Sequence, residues 1–315
     1  MSRRLARSGD NVMRNSFSSS LSSLAKRDKR VLLLTGDHGY ALFDEFRKSC
    51  LDQYINAGVA EQNMLGVAAG LAKAGFKPFC YGLSSFVPVR VLEQIKIDIC
   101  YENLPVVIVG DGAGVVYSYL GASHQSLEDF AIMRALPNIT IFSPADNYEM
   151  DEVMRLAAKS DGPVYIRMGK ADLGQIHSSE ISLNELMPLC VRDDGKKMAF
   201  LATGSMVSVA LKLLEIWPES SVWSFPILKP INQSSLSHIF KNYSKIISLE
   251  EHSLFGGFGS ALSEFASTYY PKKICKIGTQ DRFSQYCGSY DYLLKEHGID
   301  LKSIRETIES FHFEN

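Results

Sequence analysis

Residues 53–72 read Gln53-Tyr54-Ile55-Asn56-Ala57-Gly58-Val59-Ala60-Glu61-Gln62-Asn63-Met64-Leu65-Gly66-Val67-Ala68-Ala69-Gly70-Leu71-Ala72. The first four form a strand-like run. Met64, Leu65, Ala68, Leu71 and Ala72 then recur at i, i+3 and i+4, the spacing of an amphipathic helix. A strand therefore passes through a glycine-containing turn into a helix, and Glu61 falls in the first turn of that helix. A carboxylate there complements the helix dipole, a contribution of about 0.3–1 kcal/mol. Its flanks are small and apolar, and a carboxylate in so dry a setting needs a partner.

The same alternation extends along the chain. Short apolar runs at 31–34, 79–81, 106–109, 139–142 and 164–166 predict buried strands, with helical spacing between them. The pattern breaks into polar sequence from 171 to 197, and resumes with runs at 198–201, 222–225, 246–249 and 274–277. Strands alternating with helices predict parallel sheets with crossover helices. The fold class is α/β: one parallel-sheet domain over 13–175, a linker at 176–196, and a second over 197–315. The stretch 1–12 is expected to be a disordered basic extension.

Composition narrows the function. The chain has 315 residues, 46% of them hydrophobic and 22% charged, enough to build a core. Lys and Arg number 33 against 35 Asp and Glu, a net charge of −2, which argues against a dedicated nucleic-acid binder. Residues 1–30 hold eight basic and two acidic residues. The first dozen lack an apolar core and so are no secretory signal. No apolar run approaches the ~18 residues of a membrane span. Six cysteines are scattered with no CxxC pair, the pattern of reduced thiols in a cytoplasmic protein.

Ala57-Gly58-Val59-Ala60-Glu61-Gln62-Asn63 resembles the core motif of the pyrimidine-binding domain of the transketolase family. The likeness continues in order: Leu34-Thr35-Gly36-Asp37; Phe86 ahead of Glu93-Gln94; Gly121-Ala122-Ser123-His124-Gln125; Arg134-Ala135-Leu136-Pro137-Asn138; Pro144-Ala145-Asp146. Thr203-Gly204-Ser205, Lys229-Pro230, Glu250-Glu251-His252 and Gly256-Gly257-Phe258-Gly259 resemble the family's C-terminal domain.

The resemblance implies a site for thiamine diphosphate. Glu61 would hydrogen-bond the pyrimidine ring nitrogen and so drive the neighbouring amino group to act as a base. Phe86 would give the ring a flat, dry face, with Asp37 and Leu83 as further cofactor contacts. His124 would exchange protons with the substrate near neutral pH. The family's diphosphate-binding domain has no counterpart here. The resemblance therefore implies a separate N-terminal subunit that holds the diphosphate and Mg²⁺ (or Ca²⁺), a dimer core of this chain, and a heterotetramer. The reaction would be transfer of a two-carbon ketol unit to a carbonyl acceptor.

Two relatives share the domain pair, the beta subunit of 2-oxo acid dehydrogenases and 1-deoxyxylulose-5-phosphate synthase; a catalytically silent scaffold is the non-enzymatic alternative. Ordinary transketolases carry a phosphate-binding histidine and a hydroxyl-binding aspartate where this chain has Gly112 and Leu120. That loss, with Tyr117 and Tyr119 between, implies a non-standard sugar as acceptor, with Arg167 left to hold an anion.

Two patterns invite other readings. Gly110-Asp111-Gly112 followed by Asn138 matches the spacing of a thiamine diphosphate metal motif, but the resemblance makes Asp111 a loop residue at a strand end, so no metal ligand is expected in this chain. Glu250-Glu251-His252 suggests a metal cluster, yet adjacent side chains on a strand point apart, and a solvated or interface edge is expected instead. Gly256-Gly257-Phe258-Gly259 lacks a dinucleotide fingerprint's third glycine and predicts a tight turn before a helix.

Overall fold

The computed structural model describes residues 12–39, 41–170, 172–183 and 186–313. Of the stretch expected to be a basic extension, residues 1–11 lie outside the described residues. Helix α1 (Val12–Arg27) leads to β1 (Val31–Thr35), α2 (Asp44–Ser49), β2 (Tyr54–Asn56), α3 (Glu61–Lys73) and β3 (Lys77–Leu83). A 3-10 turn (Val89–Val91) continues into α4 (Leu92–Gln94) and a π-helical stretch (Ile95–Tyr101). Then come β4 (Val107–Asp111), α5 (Asp129–Arg134), β5 (Thr140–Phe142), α6 (Asn147–Lys159) and β6 (Val164–Met168). The second half runs β7 (Leu189–Asp193), β8 (Ala199–Ala202), α7 (Met206–Leu213), β9 (Ser221–Ser224), β10 (Ile227–Lys229), α8 (Gln233–Asn242), β11 (Ile246–Ser253), α9 (Phe258–Tyr269), β12 (Ile274–Thr279), α10 (Tyr290–Glu296) and α11 (Leu301–Ser310).

Two sheets form, ordered β10-β5-β6-β4-β3-β1-β2 and β12-β11-β8-β9-β7. Every pairing is parallel except β10 with β5 and β7 with β9. All nine predicted runs fall on strands. The two antiparallel edge strands were not predicted. β7 lies inside the expected linker and is mostly open to solvent, so it shows no apolar run. β10 has only three residues, and it belongs to the second half of the chain while completing the first half's sheet.

The central strands of the first sheet are buried on both faces, as parallel sheets require. Leu32, Leu34, Cys80 and Ile108 face Met64, Leu65 and Ala68 of α3. Val31, Leu33, Phe79 and Val107 face Phe17 and Leu21 of α1 and Val153 and Met154 of α6. The first of these clusters continues without a break into Leu201, Phe225, Phe258 and Leu262 of the second half. No helix among the described residues is long and apolar enough to cross a membrane.

A buried polar network crosses the same junction. Arg167 on β6 donates through Nε to Asp129 Oδ2 at 2.8 Å, and through Nη2 to the carbonyls of Glu251 at 2.8 Å and Ser126 at 3.3 Å. Its guanidinium lies 4.4 Å from the Phe130 ring centroid, and the Tyr165 hydroxyl donates to the same Asp129 oxygen at 2.8 Å. The cluster at residues 250–252 corrects the sequence reading: Glu250, Glu251 and His252 are all buried. The side chains do point apart, but both sides are covered. Glu250 accepts the amides of Phe258 and Gly259, capping the start of α9. Glu251 accepts from the Val115 amide at 2.7 Å, Ser205 Oγ at 2.5 Å and the Tyr290 hydroxyl at 2.6 Å. Burial nevertheless pushes both carboxyls above the usual range. The glycine turn before a helix is as expected, with Gly256 at φ 72° and α9 opening at Phe258.

Removing one partner of a buried ion pair strands the other charge, at a cost of about 3–5 kcal/mol. Asp129→Ala is expected to lower the unfolding free energy by that amount in chemical denaturation. A loss below about 1 kcal/mol, the ceiling for a surface pair, would show that the Arg167 network carries no such weight.

Candidate active site

The carboxyl ends of parallel strands gather their loops on one side of the sheet, which is where open α/β proteins bind ligands. Here the loops after β1, β2 and β3 meet. After β1, Asp37 (φ 62°) and Gly39 (φ 75°) are left-handed and flank His38. Asp37 Oδ1 accepts from Asn56 Nδ2 at 3.0 Å, and Asn56 Oδ1 accepts the Gly58 amide at 2.9 Å. This link fixes the turn that delivers Glu61 to the first position of α3.

Glu61 is 2% exposed. Its Oε2 accepts from Arg90 Nη1 at 3.0 Å. Among the described residues its Oε1 has no hydrogen-bond partner, and His38 Nε2, likewise without one, stands 3.9 Å away. After β3, the Leu83 carbonyl accepts the amides of Phe86 and Val87, a tight turn that sets the Phe86 ring. That ring lies 4.4 Å from the Arg90 guanidinium, 5.4 Å from the His124 ring in T-shaped contact and 6.5 Å from the His38 ring. His124 ends a short 3-10 turn (Ala122–His124) and its Nδ1 is 3.0 Å from Ser123 Oγ.

The structure thus brings Glu61, Phe86 and His124 into one cluster, with Asp37 in the loop after β1 and Leu83 at the end of β3. Sequence reasoning missed Arg90 and His38. Arg90 follows Phe86 by four residues and His38 follows Asp37 directly, so a search for cations beside the expected contacts would have found both. A buried carboxylate with one unbonded oxygen, beside an aromatic face, fits a ring nitrogen on a flat heterocycle such as the thiamine pyrimidine.

Three expected substrate residues stand apart from this picture. Arg167 does not present its charge to a ligand, because the network at the sheet junction holds it, and the expectation of an anion site there is corrected. Gly112 (φ 73°) is covered by Tyr117; a Cβ there would lie 2.0 Å from the Tyr117 ring. Tyr117 is held down by its hydroxyl, which donates to Asp111 Oδ2 at 3.0 Å. Leu120 is 55% exposed and Tyr119 also faces outward, so of the two tyrosines only Tyr117 turns inward. Asp111 also accepts from Tyr81 at 2.6 Å and pairs with Arg14 at 3.1 Å. Asn138 lies ahead of β5, at the opposite end of the parallel strands, where it donates to the Cys100 carbonyl. The Asp111 and Asn138 spacing therefore makes no shared site.

Fold and site together define a two-sheet α/β chain with a buried carboxylate, an aromatic ring and two imidazoles gathered at the carboxyl ends of parallel strands. Residues 11–175 match the family described as transketolase, pyrimidine binding domain, and residues 189–304 the transketolase C-terminal domain. The chain belongs to the transketolase family. It is 36% identical to a putative transketolase C-terminal section of Methanocaldococcus jannaschii, over 94% of this chain and 95% of that protein. It is 32% identical to one of the subunits of an apulose-4-phosphate transketolase of Phocaeicola vulgatus, over 95% of this chain and 96% of that one. A solved structure described as a split gene transketolase, inactive beta4 tetramer, superposes with a TM-score of 0.87 at 31% identity, covering 94% of this chain and 97% of that one. Membership of this family implies use of thiamine diphosphate.

The loop that carries His124 is tied to the second half of the chain. Ser284 Oγ donates to Gln125 Oε1 at 2.6 Å and lies 2.8 Å from His297 Nε2. Burial, and then the nearby Arg282, pull the His297 imidazole below its ordinary value. The unfolded chain then takes up the proton first. Stability from this group is present above about pH 6.5 and is lost as pH falls through the folded value. Between pH 7 and 5.5 the melting temperature of the wild type is expected to fall further than that of His297→Gln. His177 is shifted the opposite way, but it is common to both proteins and cancels. Equal falls would sink the linkage.

Proposed function

We infer that this chain is the pyrimidine-binding subunit of a split, thiamine diphosphate-dependent transferase that moves a two-carbon ketol unit to a carbonyl acceptor. The observation that carries this reading is the buried Glu61 carboxylate, its Oε1 unbonded among the described residues, linked through Arg90 to the Phe86 ring that in turn meets His124. When bound, thiamine diphosphate supplies a nucleophilic thiazolium carbon. Glu61 holds or moves a proton at the pyrimidine ring nitrogen. Phe86 gives the ring its flat face, and Leu83 and Asp37 shape the pocket around it. His124 exchanges protons with the reacting carbonyl and hydroxyl groups. Glu61 and His124 are the catalytic pair. The proposed division is a first domain over 13–175 and a second over 197–315, with the joining stretch 176–196 contributing β7 to the second sheet. The setting is cytoplasmic, in keeping with six free thiols.

The reading gives the diphosphate and its Mg²⁺ or Ca²⁺ to a separate N-terminal subunit, in a heterotetramer built on a dimer of this chain. The names of the relatives, a C-terminal section in one case and a subunit in the other, support that division. Thiamine diphosphate and Mg²⁺ are expected to bind tightly only when both subunits are present, because charge-assisted bonds to the diphosphate supply most of the affinity. Calorimetry giving sub-micromolar, Mg²⁺-dependent binding to this chain alone would refute the division.

The substrate is proposed to be a non-standard sugar. Tyr117 over Gly112 leaves no room for a phosphate-binding histidine while it stays bound to Asp111. Leucine at 120 accepts no hydrogen bond, so it offers a sugar hydroxyl no partner. The name of the Phocaeicola relative points to an unusual sugar phosphate in that protein. In the reconstituted complex, xylulose 5-phosphate with ribose 5-phosphate is expected to react with a kcat/KM below the usual range of about 10⁴–10⁸ M⁻¹s⁻¹. A value inside that range would make this a plain split transketolase.

A further inference from the structure

We propose that Arg90 is a positioning residue for the cofactor site, holding the Glu61 carboxylate by Oε2 so that Oε1 is the oxygen left to meet the cofactor. The proposal rests on the reading of Glu61 and Phe86 given above. Three observations carry it. The Arg90 guanidinium bonds Glu61 at 3.0 Å and covers the Phe86 ring at 4.4 Å, so one side chain bears on both residues read as gripping the ring. The two carboxylate oxygens are unequal: Oε2 is bonded, while Oε1 has no hydrogen-bond partner among the described residues and stands 3.9 Å from His38 Nε2. Finally, the backbone under Arg90 is pinned on both sides. Its amide donates to the Phe86 carbonyl at 3.0 Å. Its carbonyl accepts from Gln62 Nε2, on α3, at 3.4 Å.

A glutamate side chain has several rotatable bonds and, at the start of a helix, several rotamers. A planar cation that both bonds one oxygen and stacks on the neighbouring ring removes that freedom. Lysine can replace the charge but not the planar guanidinium over the Phe86 ring. Arg90 is itself 46% exposed along its side chain while Glu61 is buried, so it reaches the carboxylate from the rim and touches no reacting atom.

The test uses the complex with its partner subunit and four proteins: wild type, Arg90→Met, Arg90→Lys and Glu61→Gln. Cofactor affinity is read by calorimetry, turnover at saturating cofactor, and folding by thermal melting. Arg90→Met is expected to bind cofactor about tenfold more weakly and turn over about 10²-fold more slowly, the effect of a reacting group misplaced by ~1 Å, with an unchanged melting temperature. Arg90→Lys should regain cofactor binding but only part of the turnover. Wild-type affinity and turnover in Arg90→Met, beside an inactive Glu61→Gln, would overturn the role of Arg90 alone. Full activity in Glu61→Gln would overturn the underlying reading of Glu61. If Arg90→Met fails to assemble, Arg90→Lys decides, and wild-type turnover in it overturns the proposal.

Discussion

Arg167 is a guanidinium sealed from water, and such a group holds its place only if oxygen atoms converge on it from several directions. Here they come from α5, from the loop that carries His124, and from β11 of the other sheet. Once those partners are fixed, much else follows. Asp129 sits where it also takes the Tyr165 hydroxyl. Ser126 is held where its backbone pairs with Gly114 in a short antiparallel bridge. Glu251 is drawn close enough that a Cβ on Gly114 would lie 2.2 Å from its carboxylate, which accounts for a glycine there. Residue 124 is thus placed by a charge some distance behind it.

The site in front of this frame depends on a different balance. Glu61 combines burial with an incomplete set of hydrogen bonds. In a core that would be a defect. At the carboxyl ends of parallel strands it is the condition under which a carboxylate can share a proton. Around it stand the Phe86 ring and the His38 imidazole, and the Arg90 guanidinium reaches it from the rim.

What the sequence discloses divides along physical lines. The strands at 31–34 and 106–109 were legible because a parallel strand buried on both faces is apolar at every position. The place of Glu61 at the head of a helix was legible from spacing alone. The grouping of Glu61, Phe86 and His124 came from ordered motifs, since nothing local links residues so far apart in the chain. β7 was not legible because it is largely open to solvent, and β10 because three residues, even with Ile227 and Leu228 buried, are too few to leave a pattern. Arg167 and the run Glu250-Glu251-His252 were misjudged for one reason: charged residues read as exposed until their partners are known, and those partners lie on other elements. Arg90 and His38 were passed over because their contacts with Glu61 join separate segments of the chain.

The edge formed by β10 bears on how such a chain is inherited. Residues 227–229 lie beyond β9 yet close the first sheet against β5, and the apolar cluster runs through the junction without a seam. A recombination event that exchanged the second half with a distant relative would have to bring a matching edge strand, or leave β5 with unpaired amides and carbonyls open to any passing strand. The two halves are separate in their motifs and joined in their hydrogen bonding, so they are constrained to evolve as a single unit.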